Sequence, residues 1–161
     1  MHRNKEEIVS VLVMESMQKL YDSVTAALEQ KKTTRERYQL ICRGLVQYQQ
    51  EYPLYFGMLL DHIRIPSEVQ DCPPEEAETW TVGEKINKRL AEFLQEGIRS
   101  GDLRADLPIL PTILSFWGML SGVIQLAAKK ETYLQEATGL PQEQFLKESF
   151  VLLYRSIEAG R

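Results

Sequence analysis

Residues able to carry acid–base, nucleophilic or metal chemistry are few in this sequence and far apart. The chain has two histidines and two cysteines, and no second His, Cys or paired carboxylate stands at ligand spacing from His62. We therefore interpret His62 as a satisfied structural histidine rather than a metal ligand or a base. Cys42 lies within a helical pattern and Cys72 in a loop, which favours a reducing compartment over a disulfide-stapled secreted domain.

The motifs that mark nucleotide, zinc and redox sites do not occur, and no nucleophile has an evident base partner. The basic run at residues 31–37 predicts a solvated turn with Thr34 as the helix N-cap, rather than a phosphate site. Acid–base chemistry would depend on one buried carboxylate, such as Asp61 or Glu92, in a small helical enzyme or lipid carrier. The sequence favours a protein that is not an enzyme and that uses no cofactor or metal.

Composition indicates one soluble globular domain. The chain has 161 residues, of which 43% are hydrophobic and 26% charged, and this length is enough for a good core. The net charge of −4 does not suit binding to nucleic acid, which needs an excess of Lys and Arg. The polar opening MHRNKEE is unlike a signal peptide, so we expect a cytoplasmic protein.

The sequence predicts helices as the elements that position any site. The most apolar of these helices runs from Leu107 to Ala128 and contains no charged residue. Its length meets the criterion for a membrane span, and Gly118 and Gly122 have the spacing that lets helices approach closely in lipid. Pro108 and Pro111 instead shorten its regular part, and amphipathic helices of the soluble kind flank it. We favour a central helix, buried by protein on several sides and packed against two different neighbours, over a span.

The first helix is predicted from a cap at Asn4, with Glu7 completing a capping box, to about Gln30. One wide apolar stripe recurs along it at helical spacing: Val13, Met14, Met17, Leu20, Tyr21, Val24 and Leu28. Ile8, Val11 and Leu12 lie on the other, otherwise polar side. Either something outside this chain or a neighbouring loop covers them.

Five further helices follow, and no strand pattern or repeat occurs. The second helix stops at Pro53, a shorter one covers Pro53 to Ile65, and Pro66 to Pro74 is a loop. The fourth begins with PEEAETW and ends with Gly101 as the C′ residue, before the Leu107 helix. Thr138-Gly139 breaks the chain ahead of the last helix, whose first turn holds Pro141. The fold class is therefore an all-α bundle of about six helices.

The last helix carries two apolar faces, which a single neighbour cannot cover. Leu146, Phe150, Leu153 and Ile157 form one face, and Phe145 and Leu152 form a narrower one nearly opposite. Both faces could be used within one chain, but we favour a homodimer in which a second copy completes the bundle. The predicted interface residues are small or apolar: Ser115, Gly118, Gly122, Phe145, Ser149 and Leu152.

Four segments, in order along the chain, resemble regulators of the tetracycline-repressor (TetR) family. Residues 2–9, HRNKEEIV, resemble the junction that follows the recognition helix, and EYPLYF at 51–56 resembles a Pro-aromatic corner. GIRSGDLRAD at 97–106 resembles the connector G-I-x-x-G-x-L-R-x-D, and FWGMLSG at 116–122 resembles the aromatic-Gly-x-x-x-Gly segment of the family's eighth helix. The departure is large, because the three-helix DNA-binding domain expected before Asn4 is missing.

The resemblance implies that residues 1–161 are the C-terminal ligand-binding and dimerisation domain of a TetR-like transcriptional regulator. It implies a repressor dimer that a small hydrophobic or drug-like effector releases from DNA, with DNA contacted only through the missing helix-turn-helix domain, and no membrane partner. The candidate ligand-binding residues are aromatic or Met side chains: Met17, Tyr21, Tyr48, Tyr52, Phe56, Met58, Trp80, Phe93 and Trp117. Plain core packing is the alternative for each of them. The rival function is a stand-alone helical dimerisation or interaction module without DNA-binding activity.

Overall fold

The computed structural model describes residues 4–160, so His2 and Arg3 of the N-terminal resemblance lie outside the described residues. Within that range the chain is all helical, with eight α-helices, one 3₁₀ turn and no strand. The helices are α1 Lys5–Glu29, α2 Thr34–Glu51, α3 Pro53–Phe56, α4 Pro66–Val69, α5 Pro74–Arg99, α6 Ile109–Lys129, α7 Glu131–Thr138 and α8 Gln142–Arg155. The 3₁₀ turn is Leu59–His62. The expected all-α fold class is confirmed.

Capping boxes fix where α1 and α2 begin. Asn4 Oδ1 accepts from the backbone N–H of Glu7 at 2.8 Å, and the Glu7 side chain accepts from the backbone of Asn4. In α2 the cap is Thr33 rather than the predicted Thr34, because Thr33 Oγ1 accepts from the N–H of Glu36. Each box satisfies backbone donors that the first helical turn leaves unpaired.

The segment predicted as one helix from Pro53 to Ile65 is broken. Helix α3 ends at Phe56, and Gly57, a weak helix former, precedes the tighter 3₁₀ turn. Phe56 and Leu59 stand on either side of this break, and both are buried in the core. The predicted loop holds the one-turn helix α4, whose first residue Pro66 has a fixed φ that suits that position. Helix α7 was also not predicted.

The hydrophobic core has two parts. Helices α1, α2 and α5 enclose one part, and α2, α6 and α8 enclose the other. Helix α1 packs along α5 over most of its length, and Leu20, Val82 and Ile86 are almost fully buried. The predicted stripe of α1 provides its buried side. On the other side Ile8 and Leu12 are exposed, so no loop of the described chain covers them.

Helix α6 differs from the helix buried on several sides that the sequence predicts. It packs through Ile113, Leu120 and Ile124 against its neighbours α2, α5, α7 and α8. Its opposite side, which includes Gly118 and Gly122, is exposed. It is the one helix among residues 4–160 that is long and apolar enough to cross a membrane, and only 28% of its most apolar 18 residues are buried.

The connector after α5 ties the C-terminal end of the chain to the bundle. The backbone N–H groups of Asp102 and Leu103 both donate to the Gly97 carbonyl, and Ala159 donates to the Asp102 carbonyl. Arg104 donates through its backbone N–H to Ile157 at 2.9 Å. Gly101, with φ of 81°, makes this turn possible, as its predicted C′ position requires.

Gly97→Ala is expected to destabilise the fold by about 1–3 kcal/mol through overpacking. A Cβ at position 97 would lie 2.5 Å from Leu103 Cδ1 and 3.2 Å from Thr34 Cγ2, and Leu103 is buried and cannot swing away. The matched control is Gly83→Ala in the same helix, whose Cβ meets only Met17 Cε at 3.7 Å. The control is expected to gain up to about 1 kcal/mol from helix propensity. Urea unfolding measures both, and a Gly97 variant as stable as the control would contradict the close contact.

Candidate functional site

The nine predicted ligand-binding residues do not line one pocket. Three form a ring cluster (Tyr48, Tyr52, Phe56), two line an apolar cavity (Phe93, Trp117) and two line an open groove (Met58, Trp80). Met17 and Tyr21 pack in the hydrophobic core on α1 and line neither space. The cavity and the groove have different sizes and different chemistry, so they suit different ligands.

The apolar cavity lies between α1, α2, α5 and α6, and its lining is almost wholly apolar. Its volume is about 60 Å³, and its lining includes Val24, Tyr38, Phe116 and Leu120. Small-molecule sites usually measure about 300–1,000 Å³. A drug-sized ligand therefore enters this cavity only if the surrounding helices move apart.

The ring cluster lies at the corner between α2 and α3. The rings of Tyr48 and Tyr52 are 5.4 Å apart, and those of Tyr48 and Phe56 are 6.3 Å apart. Ser16 Oγ donates to the Val13 carbonyl, so the Tyr48 hydroxyl is the donor in its 2.8 Å bond with Ser16. Burial raises the pKa of Tyr48 above its ordinary value, which keeps that donor protonated. This corner is filled by protein side chains.

The open groove is bounded by the first turns of α1, the 3₁₀ turn and the start of α5. Its volume is about 550 Å³, within the usual range of small-molecule sites. Apolar side chains line part of it (Val9, Val13, Met58 and Trp80), and charged ones the rest (Lys5, Glu6, Asp61, Arg64 and Glu76). The Trp80 indole N–H donates to the Arg64 carbonyl at 3.0 Å, which ties the segment after the 3₁₀ turn to α5.

His62 lines the groove and is not the satisfied histidine that the sequence predicts. Its Nε2 is buried and has no hydrogen-bond partner among residues 4–160. Burial, aided by the neighbouring Arg64 guanidinium, lowers the pKa of His62 below its ordinary value. The imidazole is therefore neutral at pH 7.

Stability is expected to fall as the pH drops below about 6.5, the ordinary pKa of histidine. Because the folded-state pKa of His62 is lowered, the unfolded chain takes up the proton first. His62 therefore contributes its full stability above about pH 6.5 and loses it as the pH falls towards the lower folded-state pKa, by at most about 1.4 kcal/mol per pH unit. Thermal unfolding at several pH values measures this slope. His62→Gln is expected to flatten it, and equal slopes in both proteins would contradict the burial of the imidazole.

The six predicted interface residues lie on exposed or half-exposed faces of two neighbouring helices. Ser115, Gly118 and Gly122 are exposed on α6, and a Cβ built at either glycine meets nothing within 4 Å. On α8, Leu152 is 67% exposed, and Phe145 and Ser149 are half-buried. Helices α6 and α8 pack on each other, so we treat these six residues as one surface, the α6/α8 face.

Asp61, Glu92 and Cys42 are the residues considered for acid–base or nucleophilic chemistry. Asp61 and Glu92 are exposed rather than buried. Residues 4–160 hold no group of three His, Cys, Asp or Glu side chains that could bind a metal ion. Burial raises the pKa of the Cys42 thiol to about 12, which suppresses its nucleophilic thiolate.

Solved structures with a similar fold exist, although no protein-family model and no curated protein sequence matches the chain. A protein of unknown function from Rhodococcus sp. RHA1 matches with a TM-score of 0.73 at 13% identity, over 97% of this chain and 76% of that one. A member of the TetR transcriptional regulator family from Streptomyces coelicolor matches with a TM-score of 0.64 at 18% identity, over 94% of this chain and 70% of that one. The chain therefore has a TetR-like helical fold.

Proposed function

We propose that this chain is the effector-binding and dimerisation domain of a TetR-like transcriptional regulator, a repressor acting in the cytoplasm. The observation that carries the proposal is the uncovered α6/α8 face in a TetR-like fold. An apolar helix with a bare small-residue side is stabilised when another helix packs closely against it. A second copy supplies two such helices and closes a four-helix interface about a two-fold axis.

Helix α1 is the element that transmits the signal in this proposal. It packs against α5, and its first turns line the open groove together with the start of α5. An effector that binds one position of α1 more tightly than another shifts the equilibrium between them. A small apolar effector would use the apolar cavity between α1, α2, α5 and α6, which must first enlarge from its volume of about 60 Å³.

DNA binding in this proposal depends on a helix-turn-helix domain before Asn4. Ile8 and Leu12, which are 48% and 43% exposed, then form the surface against which that domain packs. The coding sequence immediately upstream of Met1, read in frame, tests this part. A basic three-helix segment there supports it, and a stop codon directly upstream contradicts it.

Light scattering of the purified chain tests dimerisation. One chain has a mass of 18.6 kDa, and the proposal requires twice this mass at micromolar concentration. A chain that stays monomeric up to high concentration would remove the α6/α8 face from the mechanism. Because oligomeric state depends on concentration, the measurement is repeated over a dilution series.

The rival proposal is a helical interaction module that dimerises and binds no small molecule, and the same exposed face favours it. Thermal unfolding in a panel of apolar small molecules separates the two. A ligand at about 100 times its Kd stabilises the folded chain by about 2.7 kcal/mol. A dimer whose unfolding no compound shifts would favour the interaction module.

A further inference from the structure

The open groove has the size of a small-molecule site and the wrong chemistry for a protein interface. Its volume of about 550 Å³ lies within the usual range of ligand pockets. Five charged side chains line it, whereas the buried centres of protein interfaces are depleted in charge. The groove therefore favours a small amphipathic molecule over a helix or loop of another protein.

Charges in the groove favour a cation. Three carboxylates, Glu6, Asp61 and Glu76, face two cationic side chains, Lys5 and Arg64. Arg64 Nη1 already pairs with Glu76 Oε2 at 3.5 Å. Neither Glu6 nor Asp61 has an ion-pair partner within 4 Å among residues 4–160. Lys5 likewise has no ion-pair partner there, so the three unpaired charged side chains, two carboxylates and one ammonium, leave a net charge of −1 in the groove. A cationic ligand balances this charge, whereas a neutral or anionic ligand would leave at least one carboxylate desolvated and unpaired, which is costly.

The apolar part of the groove can hold the body of such a ligand. Val9 and Val13 lie on one side of α1, and Met58 and Trp80 face them from the other walls. The Trp80 N–H is already bonded to the Arg64 carbonyl, so the indole offers its apolar ring rather than its donor. We propose that this groove binds an amphipathic organic cation, with its apolar part against Trp80 and Met58 and its charge between Glu6 and Asp61.

A ligand bound in the groove would link the three elements that form its walls. Glu6 lies in the first turn of α1, Asp61 in the 3₁₀ turn and Trp80 in α5, so one ligand contacts all three elements. The ligand then stabilises one position of the first turns of α1 relative to α5. That regulatory consequence rests on the proposed function, whereas the binding itself does not.

The test compares two probe ions of the same shape and opposite charge, tetraphenylphosphonium and tetraphenylborate, by isothermal titration of the whole chain. We expect the cation to bind at least roughly tenfold more tightly than the anion, a difference of about 1.4 kcal/mol. Equal affinities, or no binding of either ion, would overturn the inference. Light scattering of the same samples reports the dimer separately.

Variants that replace carboxylates by amides test whether the cation binds in the groove. Glu6→Gln combined with Asp61→Asn is expected to weaken binding of tetraphenylphosphonium by roughly tenfold. The matched control, Asp71→Asn combined with Glu78→Gln, removes two exposed carboxylates outside the groove and is expected to change it by less than about twofold. If both double variants bind alike, the groove is not the site. If the chain is a dimer but binds both ions equally, the cation site is wrong and the proposed function is unaffected. If the chain is a monomer and binds the cation more tightly, the cation site is supported and the dimeric regulator is contradicted.

Discussion

If the chain forms the proposed dimer, Gly122→Leu is expected to convert it into a monomer at micromolar concentration. In the proposed dimer, a glycine at this position lets the α6 helices of the two copies approach closely, and a leucine side chain would fill that space. Overpacking costs about 1–3 kcal/mol per site, and the two-fold axis places the residue in the interface twice. The dissociation constant is then expected to rise roughly thirtyfold to ten-thousandfold, which light scattering over a dilution series measures.

The variant is expected to fold, which keeps the experiment interpretable. In the single chain a Cβ at position 122 meets nothing within 4 Å, and leucine is a better helix former than glycine. Gln95→Leu, at an exposed site on α5, adds the same apolar side chain outside the α6/α8 face and is expected to leave the dimer intact. An unchanged dimer in the Gly122 variant would remove α6 from the interface.

Local signals in the sequence predict the long helices well, because their ends depend on nearby residues. The pair Asn4 and Glu7 marks the start of α1, and Pro108 and Gly101 bound the connector into α6. Their effects act within one helical turn, which the sequence displays directly. The all-α class follows from the same periodicity.

The broken segment after Pro53 could not be predicted, because tertiary packing decides it. The spacing of Phe56 and Leu59 suits one helical face, and both residues are buried. The structure shows that the chain forms a 3₁₀ turn here instead of continuing the α-helix. The hydrogen bond from the Trp80 indole to the Arg64 carbonyl is a long-range contact next to this turn. Propensity is a weak guide when long-range contacts of this kind compete with it.

The open groove was missed for a related reason. Glu6, Asp61 and Glu76 lie in three separate elements, and no spacing in the sequence relates them. The prediction instead grouped nine aromatic and Met side chains as one pocket, and all of them except Met58 and Trp80 pack in the protein interior. Charged residues at the start of a helix are normally solvated, so nothing marked Glu6 as part of a cavity.

Phe56→Ala is expected to destabilise the fold by about 3–5 kcal/mol. The Phe56 side chain is 1% exposed and belongs to the hydrophobic core together with Tyr48 and Leu59. Removing its ring leaves a cavity under the corner between α2 and α3, which cannot collapse because Pro53 fixes the backbone there. A domain of this size has a total stability of only about 5–15 kcal/mol, so urea unfolding at fixed chain concentration measures the loss readily.

The result also separates the two roles considered for Phe56, ligand contact and core packing. Leu54→Ala is the matched control, because Leu54 lies in the same short helix α3 and is 72% exposed. Surface substitutions of this kind change stability by about 0.5 kcal/mol or less. If Phe56→Ala costs no more than this control, its ring is not part of the core and its place in a ligand site gains support. If the expected loss is found, Phe56 holds the corner beneath the groove wall formed by Met58 and Asp61, and its influence on any ligand is indirect.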